Sequence, residues 1–375
     1  MTGPAALPCP ITELPTPALL VDRDRLDRNL DDVATVMRDA GVALRPHIKT
    51  SKCLAVARRQ LDRGAVGFTC ATAAEVALLL AAGVTDVLWA HQPVGPAKVG
   101  FAVEAARSGA LTVAVDSVAV AGPLSAAAAA AGMVLPYLVE VDTGTGRAGT
   151  DPARVVDLVR RLSDLPGLRL RGVFTHEGFL ARHVGDRTAL EAASRDAAAT
   201  LVAAADALRQ AGYRVDVVSM GSTPGLTSAP YVPGVTEARP GTYVFYDRNQ
   251  VNLDSAGPAQ CALTVLTRVV SRERPGLAIV DAGIKALSSD RSNAGDGFGM
   301  VCDVSGVPLE GVSMVTAHEE HGFLSGPGVE GLEVGTPLRL IPNHACGTVN
   351  MWSAMVVVDP ATGDAVERWA VQARY

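Results

Sequence analysis

A chain of 375 residues is longer than one hydrophobic core usually serves, so a large domain and a smaller one are expected. With 48% hydrophobic and 19% charged residues, it has the composition of a folded globular protein rather than a disordered one. A net charge of -6 without a basic block argues against nucleic acid or an anionic membrane surface as partner. Residues 1–17 lack a basic segment followed by a long apolar one, and the Ala-rich run at Ala126–Ala131 is bounded by Pro123 and Gly132, so neither a signal segment nor a membrane span is expected. The expected location is the cytoplasm.

In chain order, Thr16–Asp22 reads as a strand, and Asp24 as the cap of a helix to about Ala40 with Leu26, Leu30, Val33 and Met37 on one stripe. Eight short apolar strands follow: Ala43–Lys49, Gly67–Thr72, Asp86–His91, Leu111–Ser117, Leu135–Asp142, Leu170–Gly178, Val215–Ser222 and Thr242–Asp247. Helical stretches near 52–63, 73–82, 96–108, 118–131, 151–164 and 186–211 separate them, and the link 224–241 reads as irregular. Continuous apolar strands fit a parallel sheet covered on both faces, and eight such units have the size of a (β/α)8 barrel. No Gly-x-Gly-x-x-Gly follows the first strand, which argues against a dinucleotide-binding open sheet. After Leu253, Ala262–Ser271, Gly276–Asp281, Val312–His318, Thr336–Ile341, Met355–Val358 and Ala365–Val371 read as strands joined by turns, without helices between. The fold expected is therefore α/β, a (β/α)8 barrel over residues 24–253 with a second, mostly β domain from residues 1–23 and 254–375.

Functional groups in such barrels gather at the C-terminal ends of strands. The first strand ends in Arg45-Pro46-His47-Ile48-Lys49-Thr50, the fifth in a glycine-rich loop from Asp142 to Gly149 holding Arg147, and the sixth in Thr175-His176-Glu177-Gly178. The seventh ends in Gly221-Ser222-Thr223-Pro224, and Arg239-Pro240-Gly241-Thr242-Tyr243 follows. Small residues and hydroxyls late in a barrel suit a phosphate. A strand-end lysine facing a phosphate site suggests a Schiff base with pyridoxal phosphate. The six cysteines, Cys9, Cys53, Cys70, Cys261, Cys302 and Cys346, show no disulfide or zinc-knuckle spacing, and all but Cys346 read as small buried hydrophobes.

These strand-end motifs, with Val139-Glu140-Val141-Asp142, Val280-Asp281-Ala282-Gly283 and His344-Ala345-Cys346, resemble the D-serine dehydratase / D-threonine aldolase family, pyridoxal phosphate enzymes of the alanine racemase fold type. The resemblance implies that Lys49 is the Schiff-base lysine. It also implies that Arg147 contacts the cofactor's phenolic oxygen and that Gly221, Ser222, Thr223 and Tyr243 hold its phosphate, with His176 beside its ring. His344 and Cys346 become metal ligands, expected on one face of an extended segment, and imidazole plus thiolate suits zinc, with manganese as the alternative. His321 is a further candidate for that pocket, set against a purely structural histidine.

The implied activity is a metal-assisted lyase reaction on a β-hydroxy-D-amino acid, most readily dehydration to a 2-keto acid and ammonia. The aldolases of this family carry His-x-Asp where this chain has His344 and Cys346, and Gly-Ser-Thr-Pro is dehydratase-like. Phe179 stands where a polar residue is expected, pointing away from D-serine itself. The alternatives are retro-aldol cleavage to glycine and an aldehyde and, in another class, a non-catalytic pyridoxal phosphate-binding protein, against which the added β domain argues. A homodimer acting on a small amino acid is implied.

Overall fold

The computed structural model describes residues 6–374; residues 1–5 and 375 of the expected β domain lie outside the described residues. The chain divides into two compact units, one of Asp32–Lys49 with Val56–Gly241, the other of residues 6–31, Thr50–Ala55 and Thr242–Arg374. Among the described residues no helix is long and apolar enough to cross a membrane.

The first unit is built on eight parallel strands, Ala43–Leu44, Phe68–Cys70, Val87–Trp89, Leu111–Val115, Leu135–Glu140, Leu168–Phe174, Val217–Met220 and Glu237–Ala238. The eighth pairs with the first through Glu237↔Ala43 and Ala238↔Leu44. The remaining gap closes through a parallel bridge, His47↔Thr69, supported by Thr69 N–H donating to Pro46 O at 2.8 Å. Every residue of Leu111–Val115 is buried, as a strand covered on both faces requires. Helices over Ala73–Ala81, Pro96–Ala106, Val118–Ala130, Val155–Ser163 and Arg187–Gln210 alternate with the strands. The first of these starts at a reciprocal cap between Thr72 and Glu75, which satisfies amides that a helix start leaves open. The α/β class and the barrel with a second, mostly β unit are as expected.

The eighth strand is not at Thr242–Asp247. It is the two-residue segment Glu237–Ala238, and Thr242–Val244 is a 3-10 turn. Pro240 has no N–H to continue the ladder, which ends the strand just after it begins. A glutamate in a two-residue strand gives no hydrophobic signal; it is tolerated because Arg45 neutralises it. Arg45 Nε donates to Glu237 Oε2 and Nη2 to Asp86 Oδ2, both at 2.7 Å, while Ser219 Oγ donates to Glu237 Oε1 at 2.6 Å. Both side chains of the Arg45–Glu237 pair are only 5% exposed.

In the second unit the N-terminal strand Ala18–Asp22 runs antiparallel to Leu263–Ser271 and parallel to Ala354–Asp359. Its inner residues join Ile11, Leu14, Leu266, Val356, Val358 and Ala365 in one apolar cluster. The expected strands form here, with Gly299–Cys302 and Gly322–Ser325 in addition. Contrary to expectation, short helices interrupt the strands at Ile284–Leu287 and Ala345–Met351.

Removing one member of a buried ion pair leaves the other uncompensated, at a cost of about 3–5 kcal/mol. Glu237→Ala is expected to lower stability by about that amount, read as the shift in urea midpoint at constant slope. Arg214→Ala, which breaks an ion pair that leaves Arg214 largely exposed, serves as the control and is expected to shift it little.

Candidate functional site

Strand ends of the first unit bring a group of basic side chains together. After Leu44 the chain turns through Pro46, His47 N–H donates to Pro240 O at 2.9 Å, and Ile48–Thr50 forms a single 3-10 turn that carries Lys49. The Lys49 amide lies 3.4 Å from His47 Nδ1, and the lysine is half-buried. Burial, reinforced by the positive charge of Lys49, pushes the imidazoles of His47, His91 and His176 below their ordinary range, His176 to about 3. Lys49 and Arg239 act on both His47 and His176, so the strand ends form a cationic field lined with neutral imidazoles.

His176 is fixed by a 2.5 Å contact between Nδ1 and Gly221 O. A carbonyl only accepts, so Nδ1 carries the proton and Nε2 keeps its lone pair. Gly221 N–H donates to Glu177 Oε2 at 3.0 Å. Gly221 is therefore not a free donor, and it packs against an arginine: a Cβ there would stand 2.5 Å from Arg239 Nη2. Ser222 Oγ accepts Gly225 N–H at 3.2 Å, and Thr223 is buried beside it.

The loop after the fifth strand is wound around one carboxylate. Asp142 Oδ1 accepts the amides of Gly144, Thr145 and Gly146 at 2.9, 2.8 and 3.1 Å. This turn presents Arg147, whose Nη2 is 3.6 Å from Oε1 of the buried Glu140. Gln92 Nε2 donates to Glu140 Oε2 at 2.5 Å and holds that carboxylate in place. Glu140, Asp142, Thr145, Arg147, Thr175 and His176 line one cleft. Phe179 covers the loop, its ring 3.5 Å from where a Cβ on Gly144 would lie.

Two buried groups here were not assigned from the sequence. Arg239 donates from Nη1 to Ser219 Oγ at 2.6 Å and from Nη2 to Thr175 O at 2.5 Å, with its guanidinium 4.9 Å above the Phe174 ring. Glu177 is pushed up by complete burial. Arg239 opens the Arg-Pro-Gly-Thr-Tyr run and Glu177 follows His176, so position at a strand end was the available signal for both.

The second unit holds the other candidates. Tyr243 is fully buried in the Thr242–Val244 turn. His344 and Cys346 do not share an extended segment: His344 is extended (φ -139°, ψ 110°) and caps the helix Ala345–Met351, whose first turn contains Cys346. The Pro342–Asn343 stretch ends the preceding strand and a helix starts at once, so the i, i+2 alternation of a strand does not apply. The imidazole and thiol nevertheless meet in a side-chain hydrogen bond, and the charge of Cys346, helped by Asp247, holds His344 well above its ordinary range against the effect of burial. Thr50 Oγ1 lies 3.1 Å from Cys346 Sγ. Among the described residues no three His, Cys, Asp or Glu side chains are grouped to hold a metal. His321 is exposed and lines a separate groove with Arg274, His318 and Phe323, to which neither His344 nor Cys346 contributes.

Comparison with known proteins adds independent findings. Residues 21–249 match the model for the alanine racemase N-terminal domain, and residues 262–358 match that for a putative serine dehydratase domain. The chain is 38% identical over 372 residues to D-threo-3-hydroxyaspartate dehydratase of Delftia sp. (strain HT23), covering 95% of this chain and 97% of the relative. It is 32% identical to D-threonine aldolase of Arthrobacter sp, covering 97% and 94%. A solved structure of a Cys-to-Ala mutant of D-threo-3-hydroxyaspartate dehydratase, in the metal-free form, superposes with a TM-score of 0.91 at 37% identity, covering 98% of this chain and 99% of that one.

The lowered folded-state values of His47 and His176 have a consequence for stability. Below the unfolded value of 6.5 the unfolded chain binds protons that the folded imidazoles refuse, so this contribution is present above pH 6.5 and is lost as pH falls toward about 3. Buried Glu140 and Glu177 and the raised His344 act with the opposite sign, so the effect is isolated by difference. Cofactor-free His176→Asn is expected to lose less urea stability than the parent between pH 7.5 and 5.5; equal slopes would remove His176 as the cause.

Proposed function

Given that the chain belongs to the D-serine dehydratase / D-threonine aldolase family of the alanine racemase fold type, we propose that it is a pyridoxal phosphate- and divalent metal-dependent lyase. Its reaction is dehydration of a β-hydroxy-D-amino acid to a 2-keto acid and ammonia. The observation that carries the reading is Lys49 at a strand end, acting together with Arg147 and Arg239 on His176, whose imidazole burial and these cations keep neutral. That environment suits an anionic phosphate ester with a reactive carbonyl, and substrates that carry a carboxylate.

Pyridoxal phosphate, when bound, supplies an electron-accepting ring that acidifies the bonds to the substrate Cα. Lys49 would hold its carbonyl carbon and, once the substrate's amine has taken that place, its freed amine would be the base for the α-proton. Arg147, steadied by Glu140, would face its phenolic oxygen. Ser222, Thr223, Gly221 and Tyr243 would hold its phosphate. His176, locked with its Nδ1 proton on Gly221, presents an unprotonated Nε2 beside the ring position. His344 and Cys346 would hold the metal, which would supply Lewis acidity toward the β-hydroxyl; a soft thiolate with imidazole favours zinc.

Dehydration is preferred to aldol cleavage because Cys346 stands where the aldolases of this family carry aspartate. A pyridoxal phosphate carrier without activity would have no use for the His344–Cys346 pair. We assign the protein to the cytoplasm as a homodimer, for which light scattering at twice the 38.7 kDa chain mass is the check.

The deciding experiment is product analysis with D-serine, D-threonine and 3-hydroxy-D-aspartate, with and without chelator. Keto acid and ammonia, lost on chelation and restored by zinc, are expected; glycine and an aldehyde would replace this reading with the aldolase. Lys49→Ala is expected to lose the cofactor's visible absorbance, and turnover by at least about 10²- to 10⁴-fold. Cys346→Ala is expected to lose metal and turnover together, and unchanged metal content would remove it as a ligand.

A further inference from the structure

Asp247 is a buried carboxylate at the imidazole–thiol pair. Its side chain is fully buried, yet three groups converge on it. Oδ1 accepts Gln250 N–H at 2.9 Å and so caps the short helix Arg248–Asn252. Oδ2 accepts Ala345 N–H at 2.9 Å, at the first residue of the Ala345–Met351 helix, and lies 3.3 Å from His344 Nδ1. A carboxylate oxygen only accepts, so the ring nitrogen facing it must be the one that carries hydrogen. Nε2 is then the nitrogen left to bind a ligand.

We propose that Asp247 is the positioning residue of the metal site: it selects the Nδ1–H tautomer of His344, fixes the ring beside Cys346, and aims Nε2 at the divalent cation. The inference rests on the reading of His344 and Cys346 as metal ligands. It makes one further claim, that affinity for the cation depends on a carboxylate that never touches it. Two features favour this over a plain helix cap. The Gln250 cap uses Oδ1, whereas the imidazole meets Oδ2. The Ala345 bond, one residue along the chain from His344, ties the backbone of the ligand segment to the same oxygen, so ring and backbone are set together. Metal-binding histidines commonly hold a carboxylate on their second nitrogen, and losing it costs about 10- to 100-fold in metal affinity.

The test uses the full chain, stripped of metal and titrated with zinc against a competing chelator, and separately with cobalt(II). In Asp247→Asn an NH2 replaces one oxygen, so the Gln250 and Ala345 amides cannot both keep an acceptor, and an NH2 facing His344 would demand the opposite tautomer. Asp247→Ser keeps a cap for Gln250 but no longer reaches the ring. Both are expected to bind zinc about 10- to 100-fold more weakly than the parent and to shift the cobalt absorption bands. Asp247→Ser is expected to do so with an unfolding midpoint close to the parent's, which separates ligand orientation from loss of a cap. Zinc affinity within twofold of the parent in a folded Asp247→Ser protein would overturn the proposal while leaving the metal site intact. A parent that binds no zinc, with Cys346→Ala indistinguishable from it, would overturn the metal reading itself.

Discussion

The barrel is closed where its first strand is shortest, and a single guanidinium makes that closure affordable in electrostatic terms. Arg45 lies between Glu237 on the eighth strand and Asp86 at the start of the third, buried with the first of these. A two-residue strand contributes little ladder of its own. The ion pair supplies the missing fixation across the seam, next to the bridge His47↔Thr69. Everything that follows in the chain, from Pro46 through His47 to Lys49, leaves from this point. The position of the candidate lysine therefore depends on a pair of charges that take no part in its chemistry.

Much of this architecture was legible in the sequence because burial on both faces writes itself as uninterrupted apolar runs. Leu111–Val115 and Leu135–Glu140 are two such runs, and the helix between them starts at a Ser117 cap. The eighth strand escaped because its burial is electrostatic: Glu237 is hidden by pairing with Arg45, nearly two hundred residues away. The Gly299–Cys302 and Gly322–Ser325 strands escaped for a different reason. Each opens with a glycine that reads as a turn, whereas at Gly322 a Cβ would stand 2.7 Å from the backbone oxygen of Ala282, which cannot move aside as a side chain could.

At the candidate sites, residue types were legible and geometry was not. His344 and Cys346 stood out as a donor pair, but the backbone between them is a helix start rather than a strand. Their meeting depends on the rotamers, which spacing does not record. Lys49, Arg147 and His176 were found from their places at strand ends, and the structure brings them into one electrostatic neighbourhood. Glu140, Glu177 and Asp247 received no role from the sequence, since what each carboxylate holds is set by folding: Glu140 meets Gln92 and Arg147, Glu177 the Gly221 amide, and Asp247 the His344 ring.

Those three carboxylates share a physical logic. Each is buried, which is costly, and each holds a neighbouring polar group: Glu140 the guanidinium of Arg147, Glu177 the amide of Gly221, Asp247 the ring of His344. An isolated buried carboxylate would destabilise the fold, so its retention needs compensation. Here the compensation comes from the groups being positioned: an exposed arginine is drawn to one rotamer, an amide is given a fixed direction, and an imidazole is held in one tautomer. A guanidinium on a flexible stem or a freely turning ring would lose rotamer freedom on meeting a ligand, and a carboxylate behind it means that this ordering is done during folding instead. Under the proposed function the two units use the same device, one for the guanidinium proposed to face the cofactor and the other for the ring nitrogen proposed to face a metal.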